Sequence, residues 1–90
     1  MKKIFKYQFP ITDEFTLNLP IGAQPIAVAE QSGVPYMWAI VDPDEILMMP
    51  YEFFVIGTGH PMPDAPLIYV GTIHESDRPL VWHIFMQGIK

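Results

Sequence analysis

From Lys3 to Phe9 the chain alternates with the two-residue period of a strand: Phe5, Tyr7 and Phe9 fall on one face, Ile4, Lys6 and Gln8 on the other. The aromatic face is expected inward, and Pro10 closes the element. After the polar turn Thr12-Asp13-Glu14, a second short strand places Phe15, Leu17 and Leu19 in alternation with Thr16 and Asn18, and Pro20-Ile21-Gly22-Ala23 turns the chain. Two further strands, about Pro25 to Glu30 and Val34 to Val41, flank Gln31-Ser32-Gly33, a short glycine-containing connection and the best hairpin signal in the sequence. In the second of these, Tyr36, Trp38 and Ile40 share one face and Met37, Ala39 and Val41 the other. Both faces are apolar, which predicts a central strand covered on both sides.

Asp42-Pro43-Asp44-Glu45 breaks that run, and Glu45 to Met49 reads as a short strand or one irregular helical turn. A fifth strand, Tyr51 to Gly57, leads into a loop from Gly57 to Ala65. The last two, Leu67 to Ile73 and Leu80 to Met86, are joined by His74-Glu75-Ser76-Asp77-Arg78-Pro79. Pairing centred on Ser76 to Pro79 sets His74 opposite Val81 and Thr72 opposite His83, with both imidazoles on one face and Trp82, Ile84 and Met86 on the other. Ten prolines and six glycines, spread evenly, leave almost no window for a three-turn helix. The expected fold is therefore all-β: a small antiparallel β-sandwich or partly open barrel of about six or seven strands, in one domain over residues 1–90.

Size changes the picture. A chain of 90 residues is expected to bury roughly 64% of the surface its unfolded form exposes, a modest core. With no cysteine, disulfides and thiolate metal sites are excluded, which leaves self-association as the common remaining route to stability. Hydrophobic residues make up 50% and charged ones 17%, against about 25% charged in an ordinary domain. Together with the sheet edges such a fold leaves, that shortage predicts a homo-oligomer. Net charge is −5, and four of the five basic residues (Lys2, Lys3, Lys6, Arg78 and Lys90) lie near a terminus. No clustered cations form a nucleic-acid groove, so nucleic acid is not an expected partner. No apolar run reaches membrane-span length and the N-terminus lacks a signal-type apolar region, so a cytoplasmic protein without a membrane partner is expected.

Polar chemistry and special backbone coincide in Gly57-Thr58-Gly59-His60-Pro61-Met62-Pro63. Gly57 and Gly59 permit positive φ and close approach, while Pro61 and Pro63 stiffen the chain just after His60. Two readings stand side by side. The loop presents successive N–H groups to an anion, with Thr58 and His60 as added donors, or it is a tight, rigid turn in which Thr58 hydrogen-bonds its own loop and His60 stacks on a proline. A metal site built on His60, His74 and His83 with Asp64, Glu75 or Asp77 is disfavoured by long separations, and no metal or other cofactor is expected. His83, between Trp82 and Ile84, reads as a partly buried, satisfied imidazole. Trp38, Tyr36, Trp82 and Tyr69 are stacking candidates, each weighed against a place in the core. The acids around Pro43 lack a neighbouring base, and no serine has a base and an orienting acid at recognisable spacing, so an enzyme is not expected.

Six segments, Phe5-Lys6-Tyr7, Ile11 to Phe15, Leu19 to Ala23, Met37 to Asp42, Ile56 to Pro63 and Val81 to Phe85, together resemble a family of short, uncharacterised proteins carried by bacteriophages and prophages. The apolar Ile46 to Met49 departs from that pattern, where a more polar connection is expected. The resemblance implies a phage accessory protein acting in the cytoplasm of a host bacterium. It implies a non-catalytic, oligomeric sponge that sequesters a small nucleotide-type ligand, a cyclic nucleotide immune signal, from antiviral defence. On that reading Gly57, Thr58, Gly59 and His60 hold phosphate or ribose oxygens, Trp38 or Tyr36 stacks a base, Arg78 offers a bidentate phosphate contact, and His83 completes the ligand-binding set. The alternatives are an interaction module that inhibits a host factor and a virion accessory protein.

Overall fold

A computed structural model describes residues 1–88. Its seven strands, in chain order, are β1 (Lys3–Gln8), β2 (Glu14–Pro20), β3 (Gln24–Gln31), β4 (Val34–Val41), β5 (Met48–Gly57), β6 (Leu67–His74) and β7 (Val81–Gln87). They form two antiparallel sheets, one ordered β1-β4-β3 and the other β2-β5-β7-β6. The architecture is a sandwich that does not close into a barrel, and the described residues contain no helix.

Local chemistry sets the turns. Ser32 (φ 51°) and Gly33 (φ 80°) both take positive φ between the paired Gln31 and Val34, the two-residue hairpin geometry that matches strand twist. The Asp42 carboxylate accepts from the Asp44 N–H at 3.0 Å, and the Glu45 N–H donates to the Asp42 carbonyl at 3.0 Å. This Asx turn ends β4. Met48 and Met49, left open by the pattern, begin β5.

The core lies between the sheets. Met37, Ala39 and Val41 of β4 are buried, as are Phe53 and Val55 of β5 and Ile84 of β7. On one side Phe9, just past β1, stacks on Phe15 of β2 at 4.8 Å, and Phe15 stacks on Phe53 at 5.0 Å. On the other side the edges of β3 and β6 almost touch: a Cβ on Gly71 would lie 2.8 Å from Val28 Cγ2 and 3.3 Å from the Val28 backbone nitrogen.

Two expectations are corrected. β4 is central in its sheet but covered on one face only, since Tyr36, Trp38 and Ile40 are half-buried on an outer face that no further layer covers among the described residues. Of the aromatic row on β1, Phe9 is buried and Tyr7 packs on the core, whereas Phe5 is 41% exposed because β1 is an edge strand.

The β2–β5 ladder runs further than the β5–β7 ladder. β2 pairs with β5 from Glu14↔Phe54 to Pro20↔Met48, while β7 pairs only with Phe53 to Gly57. The Val55 N–H donates to the Asp13 carbonyl, and the Ile21 N–H to the Leu47 carbonyl. Alternation along the ladder then turns the backbone groups of Met48, Pro50 and Glu52 away from β2. Pro50 has no N–H to offer there, so this edge suits a strand left unpaired. The result is a two-stranded arm, Leu17 to Ile21 with Leu47 to Tyr51, that extends past its own sheet.

Candidate functional site

The polar chemistry gathers on the outer face of the four-stranded sheet. Gly57 to His60 form a β-turn closed by the His60 N–H on the Gly57 carbonyl at 3.0 Å, with Gly59 at φ 89°, a conformation that favours glycine. The turn lifts Thr58 at the end of β5 over β7. There Thr58 Oγ1 lies 2.8 Å from His83 Nε2, while His83 Nδ1 lies 3.1 Å from Thr72 Oγ1 of β6. Thr72 Oγ1 also hydrogen-bonds the Tyr69 hydroxyl.

Tyr69 reaches that line because of a bulge. Residues three apart on a regular strand face opposite sides, but the β6–β7 register shifts between Tyr69 and Gly71. The shift buries Val70 and leaves Tyr69 and Thr72 on one face. The Tyr69 ring is 59% exposed and stands edge-on to Phe85, with centroids 5.5 Å apart. An exposed aromatic ring therefore adjoins an unbroken row of hydroxyl, imidazole and hydroxyl groups. When its imidazole is neutral, with one donor and one acceptor nitrogen, His83 accepts from one threonine and donates to the other.

The His60 side chain is not in this row; its ring lies beside Gly57 and Trp82. A Cβ on Gly57 would meet His60 Nδ1 at 3.0 Å and Trp82 Cζ3 at 3.2 Å, so glycine here makes room for both rings. His60 borders two hollows. One, of about 360 Å³, is shared with Thr58, Leu80 and Trp82; the other, of about 370 Å³, with Asp13, Glu14, Phe54 and Met62. The His60 N–H is already used in the turn, which removes one donor from an anion nest.

The remaining candidates stand apart. Arg78 donates from Nε and Nη2 to the Glu75 carboxylate at 2.8 and 3.0 Å, and its side chain is 62% exposed. Any phosphate on Arg78 must compete with that fork. Tyr36 and Trp38 lie on the other sheet, with Lys6 Nζ 4.3 Å above the Tyr36 ring. Within one chain they do not share a face with Thr58 and His83. His74 is exposed on β6, and among the described residues no group of three or more histidine, aspartate or glutamate side chains gathers to hold a metal.

Sequence reasoning missed Glu75 as an organiser of the β6–β7 loop. Besides Arg78, it accepts from Trp82 Nε1 at 3.1 Å, while the Ser76 N–H donates to Glu30 Oε2 of β3 at 2.8 Å. The Arg78 hydrogen bonds first, and the Trp82 bond second, hold the Glu75 carboxyl below the usual glutamate range. A depressed folded-state pKa gives stabilisation that is present above the unfolded value and lost as pH falls through the folded one. In a Trp38→Phe background, Trp82 fluorescence is therefore expected to stay constant through the ordinary glutamate range and to change only at lower pH. Glu75→Gln should abolish that acid step; an unchanged step would assign it to another carboxylate.

No curated protein and no solved structure matches the chain. The model of a domain of unknown function, DUF7352, matches residues 1–89, and the chain belongs to that family.

Proposed function

We propose that this domain binds and sequesters a small planar, polar ligand of the nucleotide class on the outer face of the β2-β5-β7-β6 sheet, without transforming it. The observation that carries the reading is the hydrogen-bonded line Tyr69–Thr72–His83–Thr58 beside an exposed aromatic ring. Tyr69 is the stacking platform in place of Tyr36 or Trp38. Thr72 and Thr58 are donors and acceptors along the ligand, and the Gly57-Thr58-Gly59-His60 turn meets its ribose or phosphate end. The net charge of −5 opposes an anion at long range, so local donors must supply the affinity. The resemblance to short bacteriophage proteins gives the setting, withholding a signal from host effectors.

The same geometry favours binding over catalysis. Thr58 beside His83 has the spacing of a nucleophile and its base. Yet the group behind His83 is the Thr72 hydroxyl, which lacks the negative charge that stabilises an imidazolium in hydrolytic triads.

Thermal unfolding against cyclic dinucleotides, cyclic trinucleotides and cyclic ADP-ribose isomers tests this. Ligand at about 100 times its dissociation constant adds about 2.7 kcal/mol of apparent stability, and the compound should be recovered intact after denaturation. Tyr69→Ala is expected to weaken binding by about 10- to 100-fold, the usual worth of one stacked base, with little change in unliganded melting. His83→Ala should weaken it as well. Stabilisation by no compound, or affinity unaltered in both variants, would remove the ligand from this face.

A further inference from the structure

The arm formed by β2 and β5 leaves apolar side chains in solvent: Ile21 is 45% exposed, Leu47 60%, Met48 54% and Met49 41%. Beside its base lies a groove of about 410 Å³, whose apolar lining includes Met49, Tyr51, Ile68 and Met86. Ile68 is 50% exposed there. The groove exists because β7 pairs with β5 only as far as Phe53, so nothing described covers the flank of the arm. Its one charged lining residue is Glu52.

We propose that two copies of this chain form a two-fold dimer in which each seats its arm tip, Leu47 and Met48, in the groove beside Ile68 and Met86 of the other. A protrusion and an apolar hollow stand next to each other on one molecule, and a two-fold rotation satisfies both at once, as an isologous interface requires. The exposed parts of these side chains and of the neighbouring Ile46 amount to roughly 600 Å² per copy. Covering all of it in both copies buries at most about 1,200 Å² from these residues, the lower bound for a stable interface. The chain also exposes 5848 Å², against about 5,400 Å² expected of a folded monomer of its mass. Methionines at both tip and groove adapt to one another's shape. Pro50 withholds a donor from the open edge, so side chains rather than an added strand make the contact.

Sedimentation equilibrium on the full chain, from low micromolar to submillimolar concentration, tests the proposal without any ligand. Wild type is expected to be dimeric, and Met48→Lys and Ile68→Glu, both at exposed positions, each monomeric and still cooperatively folded, with a melting transition that no longer depends on protein concentration. An equimolar mixture of the two variants should recover a heterodimer, because one tip lysine then meets one groove glutamate and the second contact is wild type. The variants should weaken self-association at least tenfold. A wild-type monomer throughout the range, a dimer indifferent to both substitutions, or two variants that fail to pair would each overturn the proposal.

Discussion

Phe53→Ala is expected to remove about 3–5 kcal/mol of folding free energy, the usual cost of truncating a fully buried phenylalanine. Phe53 has no exposed surface, pairs with Phe15 on one side and Met86 on the other, and ends the stack that begins at Phe9. Its loss opens a cavity that a β-sheet backbone, fixed by ladders on both flanks, cannot collapse to fill. A domain of 90 residues holds about 5–13 kcal/mol in total, so the variant should sit near its unfolding threshold. Urea denaturation reads this directly: the midpoint should fall steeply, whereas Phe5→Ala, at a 41% exposed position, should shift it little. Equal shifts in the two variants would mean that the stack is not the centre of the core.

Gly71→Ala should cost about 1–3 kcal/mol, the range for overpacking a closed interior. The added methyl would lie 2.8 Å from Val28 Cγ2 and 3.3 Å from the Val28 nitrogen. Val28 is β-branched and stiff about χ1, so it cannot turn away freely, and retreat of the backbone would part β3 from β6. At about 4–8 °C per kcal/mol for a domain of this size, the melting temperature should drop by roughly 4–24 °C. Val28→Ala removes the clashing methyl groups, and the double variant Gly71→Ala/Val28→Ala should lose less than the sum of the singles, a coupling expected only of residues in contact. Strict additivity would place the sheets further apart than described.

Much of the fold was legible because strand periodicity and turn chemistry are local. Ser32-Gly33 specified its hairpin, and the run from His74 to Pro79 specified the Thr72↔His83 register, which the structure reproduces. Leu19 and Ile84 took their inward places from alternation alone. The cover of β4 was not legible, because apolar residues on two faces show what a strand could bury and not which layers the rest of the chain supplies. The site was half legible. Thr58 of the glycine turn does meet His83, but Tyr69 joins them through a bulge at Val70, and a bulge changes the face of every residue beyond it without leaving a mark in the period. The apolar Ile46 to Met49 and the hydrogen bonds of Glu75 were visible only as composition. Their roles depend on which strands stop early and on which indole lies across a loop.

The order of strands around β5 has a consequence for synthesis. β5 lies between β2, made before it, and β7, the last of the described strands. A ribosome adding about 5–20 residues per second therefore holds, for a time, a nascent chain in which Phe53 and Val55 have been made while one of their two flanking partners does not yet exist. β3 and β4 can form their hairpin in that interval, but the larger sheet cannot knit until β7 has followed. The larger sheet is thus expected to form only after β7 has left the ribosome, and the chain that still lacks β7 is the species that most needs a chaperone.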